Sequence, residues 1–213
     1  MELSERAPTL RCPNGEKAAL PFSAKEYARR LAGLREVMAA RDLPAVLLTS
    51  MAGVAYYTGF LYCSFGRPYG CVVTPEACTT ISANIDGGQP WRRSLGDNLV
   101  YTDWQRDNFW RAVHELVGAT PRLGIEADHL TLAQRDTLVD VLGARELVDV
   151  APALMAQRMV KSAEEITLIK AGACIADIGG AAIKAAIRPG VRELDVAMVG
   201  RDMMEREIAN AFP

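Results

Sequence analysis

The residues best suited to chemistry stand in one short stretch, Leu61-Tyr62-Cys63-Ser64-Phe65-Gly66-Arg67-Pro68-Tyr69. An aromatic ring at Phe65 and a guanidinium at Arg67 flank a glycine, and a proline follows. Gly66 permits a turn that other residues resist. Pro68 holds Arg67 in an extended conformation. Such a loop would be stiff and would present ring and guanidinium together. The ring can pack on the apolar body of a small ligand, and the guanidinium can grip a carboxylate through two parallel hydrogen bonds. The same residues also fit a loop with a buried phenylalanine and a solvated arginine. From the residue types alone the second reading is the better one, since loops are common and sites are few.

Other candidates reduce to structure. Asp86-Gly87-Gly88-Gln89-Pro90 has paired glycines but no following Lys-Ser/Thr, so a turn is the better reading than a phosphate loop. Trp91, Arg92 and Arg93 beside it have the composition of a subunit contact. Gly179-Gly180 lies within a helical pattern and reads as a site of close helix packing. His114 and His129 have no histidine, cysteine or carboxylate at ligand spacing and read as structural. No nucleophile-base-acid set can be assembled. The sequence therefore predicts no catalytic residue, no metal ligand and no cofactor site in this chain.

The elements that must position the loop are legible. Ser23 and Glu26 form a capping-box pattern, with Phe22 and Tyr27 placed as a hydrophobic staple. Tyr27, Leu31, Leu34 and Met38 then share one helical face, and the helix should end near Arg41-Asp42. Ala45–Thr49 reads as a buried strand and Met51–Tyr57 as one or two helical turns. Gly70–Thr74 and Cys78–Ser82, rich in β-branched residues around Pro75-Glu76-Ala77, read as a hairpin. Asn98–Tyr101, Arg122–Glu126 and Glu146–Asp149 are further strands. Helices are expected around Phe109–Val117 and after the cap Thr131-x-x-Gln134. Met1–Leu20 has no periodicity and reads as an arm lying on a partner. This alternation predicts a mixed sheet with helices on its faces.

At Lys161 the pattern changes. Ser162 and Glu165 form another capping box, and Ile166, Ile169, Ala173, Ala176, Gly180, Ile183 and Ile187 recur at helical spacing. Pro189-Gly190 breaks the helix and a second follows to Ala211. The apolar stripe on the first expects a partner surface.

Composition removes several function classes. The chain has 213 residues, half of them hydrophobic, with a formal net charge of −2. Neither a nucleic acid nor an anionic membrane surface is called for. The five cysteines form no metal or disulfide spacing and point to reduced thiols in a cytoplasmic protein. The N-terminus lacks the apolar segment of a signal peptide. Pro44–Gly66 carries no charge, but Thr49, Ser50, Gly53, Thr58 and Gly59 dilute it, so a strand, a helix and a loop explain it better than a membrane span.

The loop around Phe65 and Arg67 resembles the matching segment of the creatinases, the creatine amidinohydrolases. So do residues 82–93 and 101–108. Lys161-Ser162-Ala163-Glu164-Glu165 and residues 175–182 fit the same family, and the Lys-Ser-x-x-Glu block is shared more widely, with the prolidases and X-Pro aminopeptidases of the pita-bread superfamily. The resemblance runs from about Phe22 onward. It implies a creatinase/prolidase-type N-terminal α/β domain over residues 1–160. The leading helices of an incomplete pita-bread catalytic domain would follow over 161–213. It implies that the full enzyme hydrolyses creatine, or a similar guanidino acid, to sarcosine and urea, as a homodimer with sites at the subunit boundary. The catalytic histidine, acting without a metal, would lie beyond this chain. Phe65 and Arg67 match the residues that reach from one subunit to the substrate of the other. Two other readings stand beside this one: the N-terminal domain of a prolidase-like metallopeptidase, and a non-catalytic module that dimerises or binds a ligand.

Overall fold

The structure is a computed structural model that describes residues 7–62 and 66–212. It divides into two compact units, Met1–Val160 and Lys161–Pro213.

The first unit is a mixed sheet between helices. Its described strands are β1 (Thr9–Leu10), β2 (Val46–Leu48), β3 (Gly70–Val73), β4 (Cys78–Ala83), β5 (Asp97–Tyr101), β6 (Arg122–Ile125) and β7 (Glu146–Asp149). They lie in the order β1-β5-β4-β3-β2-β6-β7. β2, β3 and β4 form the antiparallel centre, and β5 joins β4 in parallel. On the other side β6 and β7 run parallel to β2. The helices are α1 (Ala24–Ala40), α2 (Met51–Thr58), α3 (Gln89–Arg93), α4 (Asn108–Val117), α5 (Leu132–Leu142) and α6 (Ala151–Met159).

Alternation along the central strands builds two cores. Val46 and Leu48 of β2, with Cys71 and Val73 of β3, face the layer that holds Leu31, Leu34 and Leu154. Leu47 and Val72 point the other way, toward Phe109, Val113 and Leu138. Both faces are covered, so these strands are apolar throughout rather than alternating with polar residues. Cys71 and Cys78 meet in the first core with their sulfurs 3.4 Å apart, and burial pushes the Cys71 thiol up.

The caps form as the sequence predicts at Thr131 and Ser162, both with reciprocal bonds to the third helical residue. In α1, Ser23 Oγ accepts from the Glu26 N–H at 3.2 Å, and Phe22 meets Tyr27 edge-on. The Glu26 carboxylate is gripped by Arg29 and Arg30, and Arg30 is 1% exposed.

Three features depart from the sequence reading. The arm is pinned to its own sheet, where β1 pairs antiparallel with β5. The Asp86–Pro90 segment is more than a turn, since Asn84–Asp86 makes a 3-10 turn and Gln89–Arg93 a short helix. The segment after Asp149 forms α6, which Gln157 ties to the first layer by donating to the Arg30 carbonyl at 2.8 Å and accepting from Tyr57 Oη at 2.7 Å.

The second unit is a helical hairpin of α7 (Ala163–Ala186) and α8 (Glu193–Ala211). α7 is long and apolar enough to cross a membrane, but Lys170, Asp177 and Lys184 punctuate it, and such charges are costly in hydrocarbon. The hairpin closes on glycines. A Cβ at Gly200 would lie 2.5 Å from Ile183 Cγ1, and one at Gly179 2.6 Å from Met204 Cγ. Gly180 differs from the sequence expectation, since no atom lies within 4 Å of its Cβ position. Gly200→Leu should therefore overpack the hairpin and destabilise it by roughly 1–3 kcal/mol. Gly180→Ala should stabilise α7 by up to about 1 kcal/mol. Hydrogen exchange confined to residues 163–211 checks both, and equal protection in the two variants would overturn the assignment.

Candidate functional site

The loop between α2 and β3 is tied at its base. Tyr62 and Tyr69 stack with ring centroids 3.8 Å apart, and Phe60 lies 5.5 Å from Tyr69. Tyr62 Oη donates to the Thr49 carbonyl at 3.2 Å, and Tyr101 Oη donates to the Pro68 carbonyl at 2.9 Å. Burial pushes the Tyr62 hydroxyl up to about 12, so it stays a proton donor at neutral pH. The backbone at Gly66 is left-handed, with φ +82°, and among the described residues beyond its chain neighbours no atom lies within 4 Å of a Cβ position. Glycine is thus required by the dihedral and not by crowding.

Arg67 follows, held between that turn and Pro68. It is exposed and, among the described residues, no carboxylate lies within ion-pair distance of it. Among the described residues it lines at least three cavities. The largest, about 630 Å³, has an apolar wall of Phe60, Tyr62, Tyr69 and Ile85. Its polar rim is Arg67, Asp86, Gln89 and Arg93. A second cavity of about 260 Å³ lies toward Asn84, Thr102 and Trp104. A third, about 190 Å³, includes Trp110, Gln134 and His129, whose Nδ1 is 3.0 Å from Thr49 Oγ1. Burial pushes the Tyr101 hydroxyl up, and the Arg67 charge opposes that shift. Apolar walls with a few convergent polar groups are the usual composition of a small-molecule site. Phe65, the other residue singled out from the sequence, lies outside the described residues.

The part of the rim that α3 supplies is held by the arm. Lys17 Nζ lies 4.5 Å from the Trp91 ring centroid and donates to the carbonyls of Trp91, Ser94 (3.1 Å) and Gly96 (2.6 Å). The Ala18 N–H donates to the Arg92 carbonyl at 2.8 Å, and Arg92 Nε donates to the Glu16 carbonyl at 3.3 Å. Trp91 and Arg92 are thereby engaged within the chain. Arg93 stands apart from them on the cavity. Asp86 and Arg93 lie in the 82–93 stretch singled out from the sequence, but nothing in it relates them to Arg67, and only the fold places all three on one cavity.

Near the loop, Glu126 is a buried carboxylate with a structural task. It accepts from the N–H groups of Thr49 and Ser50 at 2.7 and 2.8 Å and from Ser50 Oγ at 2.5 Å. It thus fixes the start of α2, which leads into the loop. Among the described residues no group of His, Cys, Asp and Glu could hold a metal ion.

Residues 30–160 match the family described as the Creatinase/Prolidase N-terminal domain. A protein named creatinase from Bacillus sp. (strain B-0618) is 52% identical over 203 residues, which is 93% of this chain and 49% of that protein. A protein named uncharacterized hydrolase/peptidase y4tL, of Sinorhizobium fredii (strain NBRC 101917 / NGR234), is 28% identical over 189 residues, 82% of this chain and 48% of its own. The chain spans about half the length of these curated relatives. Among solved structures, X-Pro aminopeptidase from Thermotoga maritima MSB8 aligns with a TM-score of 0.70 at 18% identity, over 83% of this chain and 49% of that one. At that identity the likeness is one of fold.

Proposed function

The chain belongs to the creatinase/prolidase family, as its N-terminal part, and on that footing we propose that it serves a creatinase-like amidinohydrolase. In the whole enzyme creatine and water give sarcosine and urea. This part supplies a contact to the substrate carboxylate through Arg67, packing through Phe65, and part of a homodimer interface. The enzyme works in the cytoplasm. The observation that carries this reading is the 52% identity to a creatinase across nearly the whole chain, against 28% to the relative named hydrolase/peptidase. The site chemistry agrees with it. An exposed guanidinium with no carboxylate partner among the described residues, beside stacked aromatic rings, suits an organic acid. The residues that act on the guanidinium of creatine, a histidine and carboxylates, would come from the C-terminal half.

The test is a chimera. This chain, joined to the C-terminal half of the Bacillus creatinase, should form a dimer that releases urea and sarcosine from creatine. The unjoined chain should release none and serves as the blank. A folded chimera dimer that releases no urea, or that instead cleaves X-Pro dipeptides, would overturn the reading.

A further inference from the structure

The cavity of about 630 Å³ carries a charge that the reading above leaves unused. Arg67 reaches it from the loop and Arg93 from the end of α3. Among the described residues neither guanidinium is within ion-pair distance of a carboxylate, although Asp86 lines the same cavity. Two cations and one carboxylate therefore line one space that also has an apolar wall, and the net positive charge of that lining favours a singly charged anion.

Arg93 is also placed with unusual firmness for an exposed residue. The carbonyl before it, at Arg92, accepts from the Ala18 N–H, and the carbonyl after it, at Ser94, accepts from Lys17. The buried Ser94 hydroxyl closes the turn by donating to the Pro90 carbonyl at 2.5 Å. The backbone is held on both sides while the side chain remains free to turn to a ligand. Ordering the base of a binding side chain in advance lowers the entropy lost on binding. Gln89, one helical turn earlier, brings an amide to the same cavity.

We propose that Arg93 is a second guanidinium for the carboxylate that Arg67 receives. The ligand class is a small organic acid whose carboxylate bridges the two arginines while its body lies against the Tyr62–Tyr69 stack. The inference rests on the reading of Arg67 as a carboxylate contact and adds a residue that sets specificity.

The test uses this chain and two probes, creatine and acetate. The Nε–H resonances of Arg67 and Arg93 are assigned by their loss in Arg67→Gln and Arg93→Gln. Both side chains are exposed, so an unchanged melting temperature confirms that the variants fold. With either probe the two resonances should shift along one titration curve, while guanidinium chloride at the same concentration moves neither. Arg93→Gln should weaken binding about fivefold, the scale of one solvent-exposed charge contact. Arg93→Lys should fall between, because it keeps the charge and loses the fork. If Arg67 titrates identically in wild type and Arg93→Gln, Arg93 has no such role and the reading of Arg67 survives. If neither resonance moves even at about 0.1 M acetate, the two arginines form no shared carboxylate site and this proposal falls, while the reading of Arg67 is decided by the chimera dimer, where the surrounding protein is present.

Discussion

Arg67→Ala, in the chimera dimer, should lower kcat/KM for creatine by about 30- to 1000-fold, on the order of 2–4 kcal/mol. In the chain alone Arg67 is exposed and among the described residues has no carboxylate partner, so its removal should change stability by no more than about 0.5 kcal/mol. The two numbers differ because the contact gains its strength only when a bound acid and the surrounding protein displace water from the guanidinium. Arg67→Lys should recover part of the loss, since an ammonium keeps the charge but cannot make two parallel bonds. Phe65→Ala should also weaken binding, through lost packing. Mixing separates a cross-subunit role from a local one. Arg67→Ala subunits paired with subunits that lack the catalytic histidine of the C-terminal half place both lesions in one site and leave the other whole. Random pairing should then restore roughly a quarter of wild-type activity. Heterodimers that form without recovering activity would confine Arg67 to its own subunit's site.

Periodicity and punctuation carried most of the fold. The face of Tyr27, Leu31, Leu34 and Met38 is buried as its spacing requires. The hairpin of β3 and β4 sits where β-branched runs flank Pro75. What escaped was held by distant partners. β1 is two residues long and exists because Thr9 and Leu10 pair with Tyr101 and Val100. α3 is preceded by Gly88, at φ +90° and with no capping side chain, and both α3 and α6 carry a signal, a proline in the first turn, on segments too short for periodicity to declare itself. The candidate site divides in the same way. Arg67 stands out by its neighbours Gly66 and Pro68, whereas Arg93 is one of two adjacent arginines and nothing local says which of them faces the cavity. His129 approaches the loop through Thr49, 80 residues away in sequence.

The least legible feature should have the largest effect on stability. Glu26 and Arg30 are four apart on an amphipathic helix, a spacing that ordinarily marks a surface ion pair worth a few tenths of a kcal/mol. Here Glu26 is 4% and Arg30 1% exposed. The Arg30 guanidinium lies 4.1 Å from the Phe22 ring centroid and 4.2 Å from that of Tyr56. It donates to Glu26 Oε1 at 2.8 Å and to the Tyr56 carbonyl at 2.9 Å. Arg30→Ala would empty the space between two rings and strip a bond from a buried carboxylate. The expected cost is about 3–5 kcal/mol, as for other broken buried pairs. All three tryptophans lie in the first unit, so urea unfolding followed by their fluorescence reads it directly. The carboxylate gives a second reading. Hydrogen bonds from Arg29, together with those from Arg30, hold Glu26 at about 2, far below its ordinary value of 4.5. The stabilisation from its charge is therefore complete above pH about 5 and is lost as pH falls toward 2, a change on the order of 3 kcal/mol. Glu26→Gln should be less stable than wild type by roughly that amount at pH 7, and the two curves should converge in acid. A constant gap from pH 7 to pH 2 would mean that the loss comes from shape and hydrogen bonding and not from the ionised carboxylate.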